Sequence, residues 1–474
     1  MNLADARPDH GRSHVWSAGV LIASAPLLIT LLVILWRTPY PVNEAVALFE
    51  DVAKAPPTNF LIPESSYYRP LFHLTLMGIW RHAGSLDAKL MWIRLLHMTP
   101  VAVLVVLFIG HLRPRTFLDA AAAAASVAVL VASPGFRDNL EIPLSYTAVG
   151  MPLALMVWML LTGQPRKWGG SVIIVLTLVA IGFKEQGLVI VPLVIAAWWT
   201  RAPGASRGLA ALVTALAVAY VAFRLGWRGR WPLFEQSMGL GFSVLEPNEA
   251  VARFGAFPYW MYAYNSASTV SNILFAEPTN GRFSITWNLA SGGLQPWELV
   301  HLGSSLGMTS LIAWWGIRSL RRAAAGSGSI EPRAFLAMLA TLLACGVLSF
   351  DYSRDRLGGM AAVFYAIAAY FALRAAAAYV VAAPRSRFIA GSLALALLAG
   401  AWQIRAVGTL EWTRRTSGGN QAGWLMQLPQ RRMEFADRST YLQIMQSMIE
   451  QGTNPAAPRP TRYPHLISIT IGPQ

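Results

Sequence analysis

The residues best suited to chemistry in this chain are a few charged and aromatic side chains that stand between long apolar segments. Carboxylates can accept a proton from a hydroxyl group, and cationic side chains can hold an anion through charge-assisted hydrogen bonds. The candidate carboxylates are Glu44, Glu50, Asp51 and Glu141. The candidate cations are Arg69, Lys184, Arg354 and Arg356. Two further residues, placed to support these groups, are Tyr68 and His97.

Three short motifs typical of soluble enzymes are absent. The sequence has no P-loop, no glycine fingerprint for dinucleotides and no His-Glu-x-x-His. Nothing therefore indicates ATP or nicotinamide chemistry. The single cysteine, Cys345, lies in an apolar run, which predicts neither an intrachain disulfide nor a cysteine-based metal site.

Lys184 is the strongest candidate for a functional residue, because the short apolar segments on either side of it predict that it lies below the membrane surface. Residues 171–199 form an almost unbroken apolar run, with Lys184 and Glu185 in the middle and basic residues at both ends. Two crossings keep both basic ends inside, but each helix is then only about 13–15 residues, or roughly 20–22 Å, long. This is shorter than the ~30 Å hydrocarbon core. Lys184 is therefore predicted to lie in a recess, where an ionisable group marks a pathway or site.

The elements that position these residues must be membrane helices, because the chain is too apolar for a soluble protein. Of its 474 residues, 55% are hydrophobic and 13% are charged, whereas soluble domains have about 25% charged residues. The mean hydropathy is +0.45. This composition excludes a disordered chain, a coiled coil and an ordinary cytosolic enzyme. The net charge of +15 is explained by basic cytoplasmic loops rather than by nucleic-acid binding.

Eleven apolar segments are candidate membrane helices, which predicts an all-α polytopic membrane protein. A full crossing takes about 20 residues, and several of these segments are shorter. In chain order they are Val15–Trp36, Leu90–Leu112, Thr116–Ser133, Ser145–Leu161, Ser171–Phe183, Leu188–Trp199, Leu209–Phe223, Glu298–Trp315, Ala334–Phe350, Met360–Val381 and Phe388–Ile404.

Basic residues alternate with these segments and so indicate the orientation of the chain. Every loop predicted to face the cytoplasm carries at least two arginines or lysines, whereas the short outside loops mix both signs. The positive-inside rule then places the N-terminus in the cytoplasm and the C-terminus outside. A membrane domain, 1–404, has long outside loops at 37–89 and 224–297 and precedes an outside tail, 405–474. The aromatic stretch Phe254–Phe275 is predicted to be interfacial or re-entrant, because another crossing would break the charge pattern.

Three sequence motifs follow one another along the chain. A long first outside loop begins with acidic residues, Tyr68–Leu71 precedes a helix containing Leu95–His97, and the turn Lys184–Gly187 separates two short apolar helices. This order resembles the multi-spanning glycosyltransferases of the GT-C fold. It is most similar to bacterial relatives of the protein O-mannosyltransferases and of the lipopolysaccharide-modifying transferases. The resemblance covers residues 15–200 well and residues 330–380 loosely.

The resemblance implies an inverting glycosyltransferase that moves a sugar from a polyprenyl-phosphate donor to an acceptor outside a bacterial inner membrane. One carboxylate would deprotonate the acceptor hydroxyl. The candidate cations would hold the departing lipid phosphate, so no cofactor is required, and a divalent metal is compatible with the site without being implied. The partners would be this donor, membrane lipids and a glycan, lipid or protein acceptor.

The catalytic base is where the chain departs from the family pattern. The family carries an acidic pair with a leading aspartate at the start of the first outside loop, whereas this chain reads Asn43-Glu44. Either Glu44 is the base, or the register differs and Glu50 or Asp51 is, or the protein is inactive. Glu141 could equally form a structural ion pair.

Two other classes of function remain open. A transporter or lipid flippase would be expected to show internal repeats and broken helices near the membrane midplane. The chain has no evident repeat, and its charges concentrate near one face, which favours the enzyme. A scaffold with the fold but no activity is the other alternative, because Asn43 replaces the usual acid.

Overall fold

The computed structural model describes residues 10–37, 68–141, 146–226, 238–240, 243–245, 248, 251–252, 255, 260–275, 288, 292–324, 329–350 and 353–425. Asn43, Glu44, Glu50 and Asp51 lie outside the described residues, so their roles stay predictions. The same holds for the predicted tail from residue 426 onward.

The described part of the chain is almost entirely helical, which confirms the predicted all-α class. Its α-helices, in chain order, are α1 (His10–Arg37), α2 (Pro70–His82), α3 (Leu86–Leu112), α4 (Phe117–Ala132), α5 (Pro134–Glu141), α6 (Tyr146–Thr162), α7 (Gly169–Phe183), α8 (Ile190–Trp199), α9 (Arg207–Gly226), α10 (Trp260–Phe275), α11 (Pro296–Ala324), α12 (Ile330–Leu348), α13 (Gly359–Val381) and α14 (Arg385–Leu425). Two 3-10 turns, Glu185–Val189 and Asp355–Gly358, precede α8 and α13. Strands β1 (Met238–Leu240) and β2 (Ser243–Leu245) form a short antiparallel hairpin.

The protein is an integral membrane protein, because several of its helices are long and apolar enough to cross a bilayer. Six of the described helices meet both criteria, and the bent pair α4 and α5 would add a seventh. Three shorter helical segments are also apolar, namely Ala148–Thr162, Gly169–Phe183 and Glu185–Trp199. The predicted membrane class is confirmed, whereas the eleven crossings stay a prediction.

Helix α13 forms the centre of the bundle. In the span Asp355–Val381, 83% of the most apolar window is buried by other parts of the protein, against 50% or less in the other five long spans. Helix α13 packs against the alanine-rich α4, where the Ser126 hydroxyl donates to the Ala366 carbonyl oxygen at 2.6 Å. Small residues allow two membrane helices to approach this closely.

A sharp bend separates α4 from α5. The axes of the two helices differ by 62°. Pro134 lacks an amide hydrogen and disfavours helical backbone at Ser133, which is extended at φ −69° and ψ 131°. The bend carries α5 over the start of α13. A Cβ atom on Gly135 would lie only 2.8 Å from the carbonyl carbon of Gly358, so the glycine is what allows this close contact.

The two 3-10 turns lie at the same end of the bundle. Arg333, near the start of α12, donates to the carbonyl oxygens of Thr200 and Arg201, which directly follow α8, both at 3.3 Å. Since α8 and α12 pack along each other, they run antiparallel, and the start of α8 lies beside the end of α12. The turn Glu185–Val189 precedes α8, and the turn Asp355–Gly358 follows α12. We call this end of the bundle the polar end.

Helices α2 and α14 are among the elements that differ from the sequence interpretation. Helix α2 lies within the predicted outside loop 37–89, where no helix was expected. Helix α14 extends to Leu425, beyond the boundary predicted at residue 404. Glu411 pairs with Arg414 at 2.8 Å and with Arg415 at 2.6 Å, and such pairs, three and four residues apart, stabilise an exposed helix.

Candidate functional site

The polar end contains a charge cluster formed by Arg69, Lys184 and Glu185. Arg69 donates to both carboxylate oxygens of Glu185, from Nε to Oε2 at 3.2 Å and from Nη2 to Oε1 at 3.1 Å. The Nζ atom of Lys184 lies 4.0 Å from the same Oε1. The Arg69 and Glu185 side chains are 12% and 17% exposed, and the Lys184 side chain is 6% exposed. Two cations that were predicted from separate motifs therefore lie at one place.

Tight backbone packing holds this cluster in position. A Cβ atom on Gly187 would collide with the backbone of Ala180 and Ile181, so the turn can fold back against α7 only with glycine there. The Gly187 amide also donates to the Lys184 carbonyl oxygen at 2.8 Å. On the other side, α2 packs on α7, and a Cβ on Gly182 would lie 2.7 Å from Leu71 Cδ1. This contact brings the start of α2, and with it Arg69, to the turn.

Tyr68 links the cluster to the end of α9. Its backbone carbonyl oxygen accepts a hydrogen bond from the Tyr220 hydroxyl at 3.1 Å. The Tyr68 ring lies with its centroid 5.4 Å from that of Phe223 in an edge-on contact. Arg224 follows on the same helix and interacts electrostatically with Glu185 and Tyr220. Tyr68 thus supports the cluster by packing, and α9 contributes a further cation.

A second, more deeply buried charge cluster lies at the same end. Arg137 in α5 donates from Nη2 to Oδ2 of Asp355 at 2.8 Å, and these side chains are 3% and 0% exposed. The other oxygen of Asp355 accepts from Nδ2 of Asn272 in α10 at 3.0 Å. The Arg137 guanidinium also lies 6.0 Å from the Trp412 ring of α14. Asp355 therefore joins α5 to α10, and Arg137 connects both to α14.

The neighbours of Asp355 are tied to α5 through the backbone. The Arg356 amide donates to Oδ2 of Asp138 at 2.9 Å. The Asn139 side chain donates to the Gly135 carbonyl oxygen at 2.6 Å and to the Arg356 carbonyl oxygen at 3.3 Å. Asp138 and Asn139 are both buried. Their role is to fix the second 3-10 turn on α5, and with it the two candidate cations Arg354 and Arg356.

His97 and the end of α1 also lie at the polar end. The buried His97 imidazole packs against the backbone of Leu140 in α5. One helical turn earlier, the Arg94 guanidinium lies 5.2 Å from the Trp36 ring. Helix α1 therefore ends, at Arg37, beside α3 at the polar end.

Arg354, Arg356 and Glu141 complete the set of predicted site residues. Arg354 has extended backbone, φ −139° and ψ 146°, just before the second 3-10 turn, and Arg356 lies within that turn. Glu141 is the last residue of α5; its side chain lies outside what the structure describes. The polar end therefore carries Tyr68, Arg69, His97, Glu141, Lys184, Arg354 and Arg356.

The sequence interpretation missed the acidic partners of these cations. The sequence predicts no role for Glu185, although it lies as deep as Lys184. It places Arg137 in a short outside loop of mixed charge and leaves open an ion pair of Asp355 with its neighbours Arg354 and Arg356, whereas the partner in the structure is Arg137. Nothing in the sequence indicated that residues 116 positions apart would form the Arg69–Glu185 pair, because a pairing across elements depends on how the helices pack.

The potential metal ligands and the comparisons with known proteins add little to the identification of the reaction. Among the described residues, no group of three or more histidines, cysteines, aspartates or glutamates could hold a metal ion. No family model, curated protein or solved structure matches the chain.

Proposed function

We propose that this protein is an inverting glycosyltransferase that moves a sugar from a polyprenyl-phosphate donor to an acceptor at the outer face of a bacterial inner membrane. The observation that carries the proposal is the cluster at the polar end. There Arg69 and Lys184, from distant parts of the chain, surround a single anionic group. An anionic leaving group requires such preorganised cations.

The proposed reaction needs a carboxylate and a phosphate site on the same face. The acceptor hydroxyl attacks the anomeric carbon while a carboxylate takes its proton, and the C–O bond to the lipid phosphate breaks with inversion. Arg69 and Lys184 stabilise the phosphate as it leaves. Glu44 follows the end of α1 by seven residues, and α1 ends at the polar end beside Arg94. The position of the end of α1 supports Glu44, seven residues later in the sequence, as the base.

The directions of the helices support eleven crossings. Relative to the polar end, α1, α4, α7, α9, α12 and α14 run toward it, whereas α3, α6, α8, α11 and α13 run away from it. The helices α2, α5 and α10 lie at the polar end itself. Eleven alternating segments with an internal N-terminus put the polar end and the C-terminus outside.

A reporter that is active only outside the membrane tests this topology. We expect activity when it is fused after Gln474 and silence when it is inserted into the basic loop 163–168. A silent C-terminal fusion on a correctly inserted protein would contradict the topology and, with it, an active site on the outer face.

Donor binding tests the phosphate site. Removing one charge-assisted contact costs about 1.5–3 kcal/mol, or roughly 10- to 100-fold in affinity. We expect this loss of donor affinity for Lys184→Ala, for Arg69→Ala and for at least one of Arg354→Ala and Arg356→Ala. The matched control is Lys167→Ala, an exposed lysine in a basic loop at the other end. Affinity unchanged in both Lys184→Ala and Arg69→Ala would leave no phosphate site here.

A further inference from the structure

The Arg69–Glu185 pair occupies one edge of the Arg69 guanidinium. The Nε and Nη2 atoms of Arg69 both donate to the carboxylate of Glu185, at 3.2 and 3.1 Å. Arginine binds carboxylates and phosphates alike through two parallel N–H groups. The Nε/Nη2 edge cannot hold both anions at once, so a phosphate that binds Arg69 at this edge must displace Glu185.

We propose that Glu185 occupies the phosphate site of the donor-free protein, and that the donor phosphate displaces it from Arg69, Lys184 and Arg224. This inference rests on the proposed function, because it takes the lipid phosphate of the donor as the anion that belongs in the site. The phosphodiester of such a donor carries one negative charge, as the carboxylate does. The exchange therefore leaves the net charge of the cluster unchanged.

Arg224 is the third cation of this site. Tyr220 lies on the face of α9 that meets the start of α2, since its hydroxyl donates to the Tyr68 carbonyl oxygen at 3.1 Å. Arg224 stands four residues later, one helical turn farther along the same face. That position places Arg224 within electrostatic range of the Glu185 carboxylate. Arg69 and Lys184 lie closer, at 3.1 and 4.0 Å from its Oε1 atom.

The surroundings of Glu185 allow the exchange. Its side chain is 17% exposed and that of Arg69 is 12% exposed, so the pair lies at the edge of the packed helices. The Asp355 side chain, by contrast, is 0% exposed in its pair with Arg137. Of the two carboxylates, Glu185 is the one that a ligand can reach without breaking the contacts of α5 with the second 3-10 turn.

The binding of farnesyl methyl phosphate, a short isoprenyl phosphodiester that carries one negative charge and no sugar, tests the displacement. The amide in Glu185→Gln keeps the size of the side chain but competes poorly for the cations, so we expect affinity at least about tenfold tighter than in the parent protein. Arg224→Gln is expected to bind at least about tenfold more weakly. The matched control is Glu331→Gln, which removes a carboxylate paired with Arg322 at 3.2 Å outside the cluster, and it should bind as the parent does.

Affinity that is unchanged or weaker in Glu185→Gln would overturn the inference. If that variant does not fold, Glu185→Asp decides: its shorter side chain reaches Arg69 poorly, so tighter binding than in the parent supports the displacement and equal or weaker binding overturns it. A sugar-transfer assay separates this result from the proposed function. Tighter binding in a protein that transfers no sugar would refute the transferase and leave the phosphate site standing. Unchanged binding in an active transferase would overturn only the displacement.

Discussion

Replacing Glu44 with glutamine is expected to slow sugar transfer at least about a hundredfold, because removal of a general base typically costs 10²–10⁴ in rate. Glutamine keeps the size and most of the hydrogen bonding of the side chain but cannot accept the proton of the acceptor hydroxyl. Donor affinity and expression are expected to stay at parental levels. The measurement is the transfer rate of purified protein with a saturating polyprenyl-phosphate sugar.

The other candidate acids serve as comparisons for this prediction. Full activity in Glu44→Gln, with loss of activity in Glu50→Gln or Asp51→Asn, would mean that the register of the first loop differs from the family pattern. Full activity in all three variants would mean that the catalytic base does not lie in this loop. Glu141, which ends α5 at the polar end, would then be the next candidate.

Replacing Asp355 with alanine is expected to lower the free energy of unfolding by about 3–5 kcal/mol, the usual cost of breaking a buried ion pair by removing one partner. Both carboxylate oxygens are engaged, one by Arg137 at 2.8 Å and the other by Asn272 at 3.0 Å. The substitution therefore leaves a guanidinium and an amide without the group that joins α5 to α10. Unfolding in detergent with increasing amounts of a denaturing surfactant measures the loss.

Two variants make this stability prediction specific. The exposed residue Glu411 has two arginine partners, and Glu411→Ala is expected to leave the free energy of unfolding nearly unchanged because solvent screens such pairs. The double variant Arg137→Met/Asp355→Leu replaces the pair by apolar groups and should recover most of the loss. A cost for Asp355→Ala no greater than that for Glu411→Ala would contradict a structural role for the second cluster.

The sequence predicted the helical membrane architecture because apolar length is a local property. The short segments on either side of Lys184 also predicted a buried lysine, and the structure places it at 6% exposure beside Arg69. The bend at Pro134 was not predicted. Pro134 is a local signal for the end of a helix. The unbroken apolar run before it, however, indicated only a single straight membrane crossing.

The partners of the charged residues could not be predicted in the same way. Arg69 meets Glu185, and Arg137 meets Asp355, through contacts between helices that are far apart in the sequence. Which charges meet depends on close backbone contacts such as Gly135 against Gly358 and Gly187 against Ala180. The pattern of residue types along the chain does not show directly which residues make such contacts.

The most direct test of the proposed transferase is a mass-spectrometric comparison of envelope glycans and lipids from cells with the gene, without it, and with Glu44→Gln in its place. The account predicts that one species loses the mass of a single sugar in the cells without the gene. It predicts the same loss with Glu44→Gln, together with accumulation of a polyprenyl-phosphate sugar. Identical profiles in cells with and without the gene would contradict it.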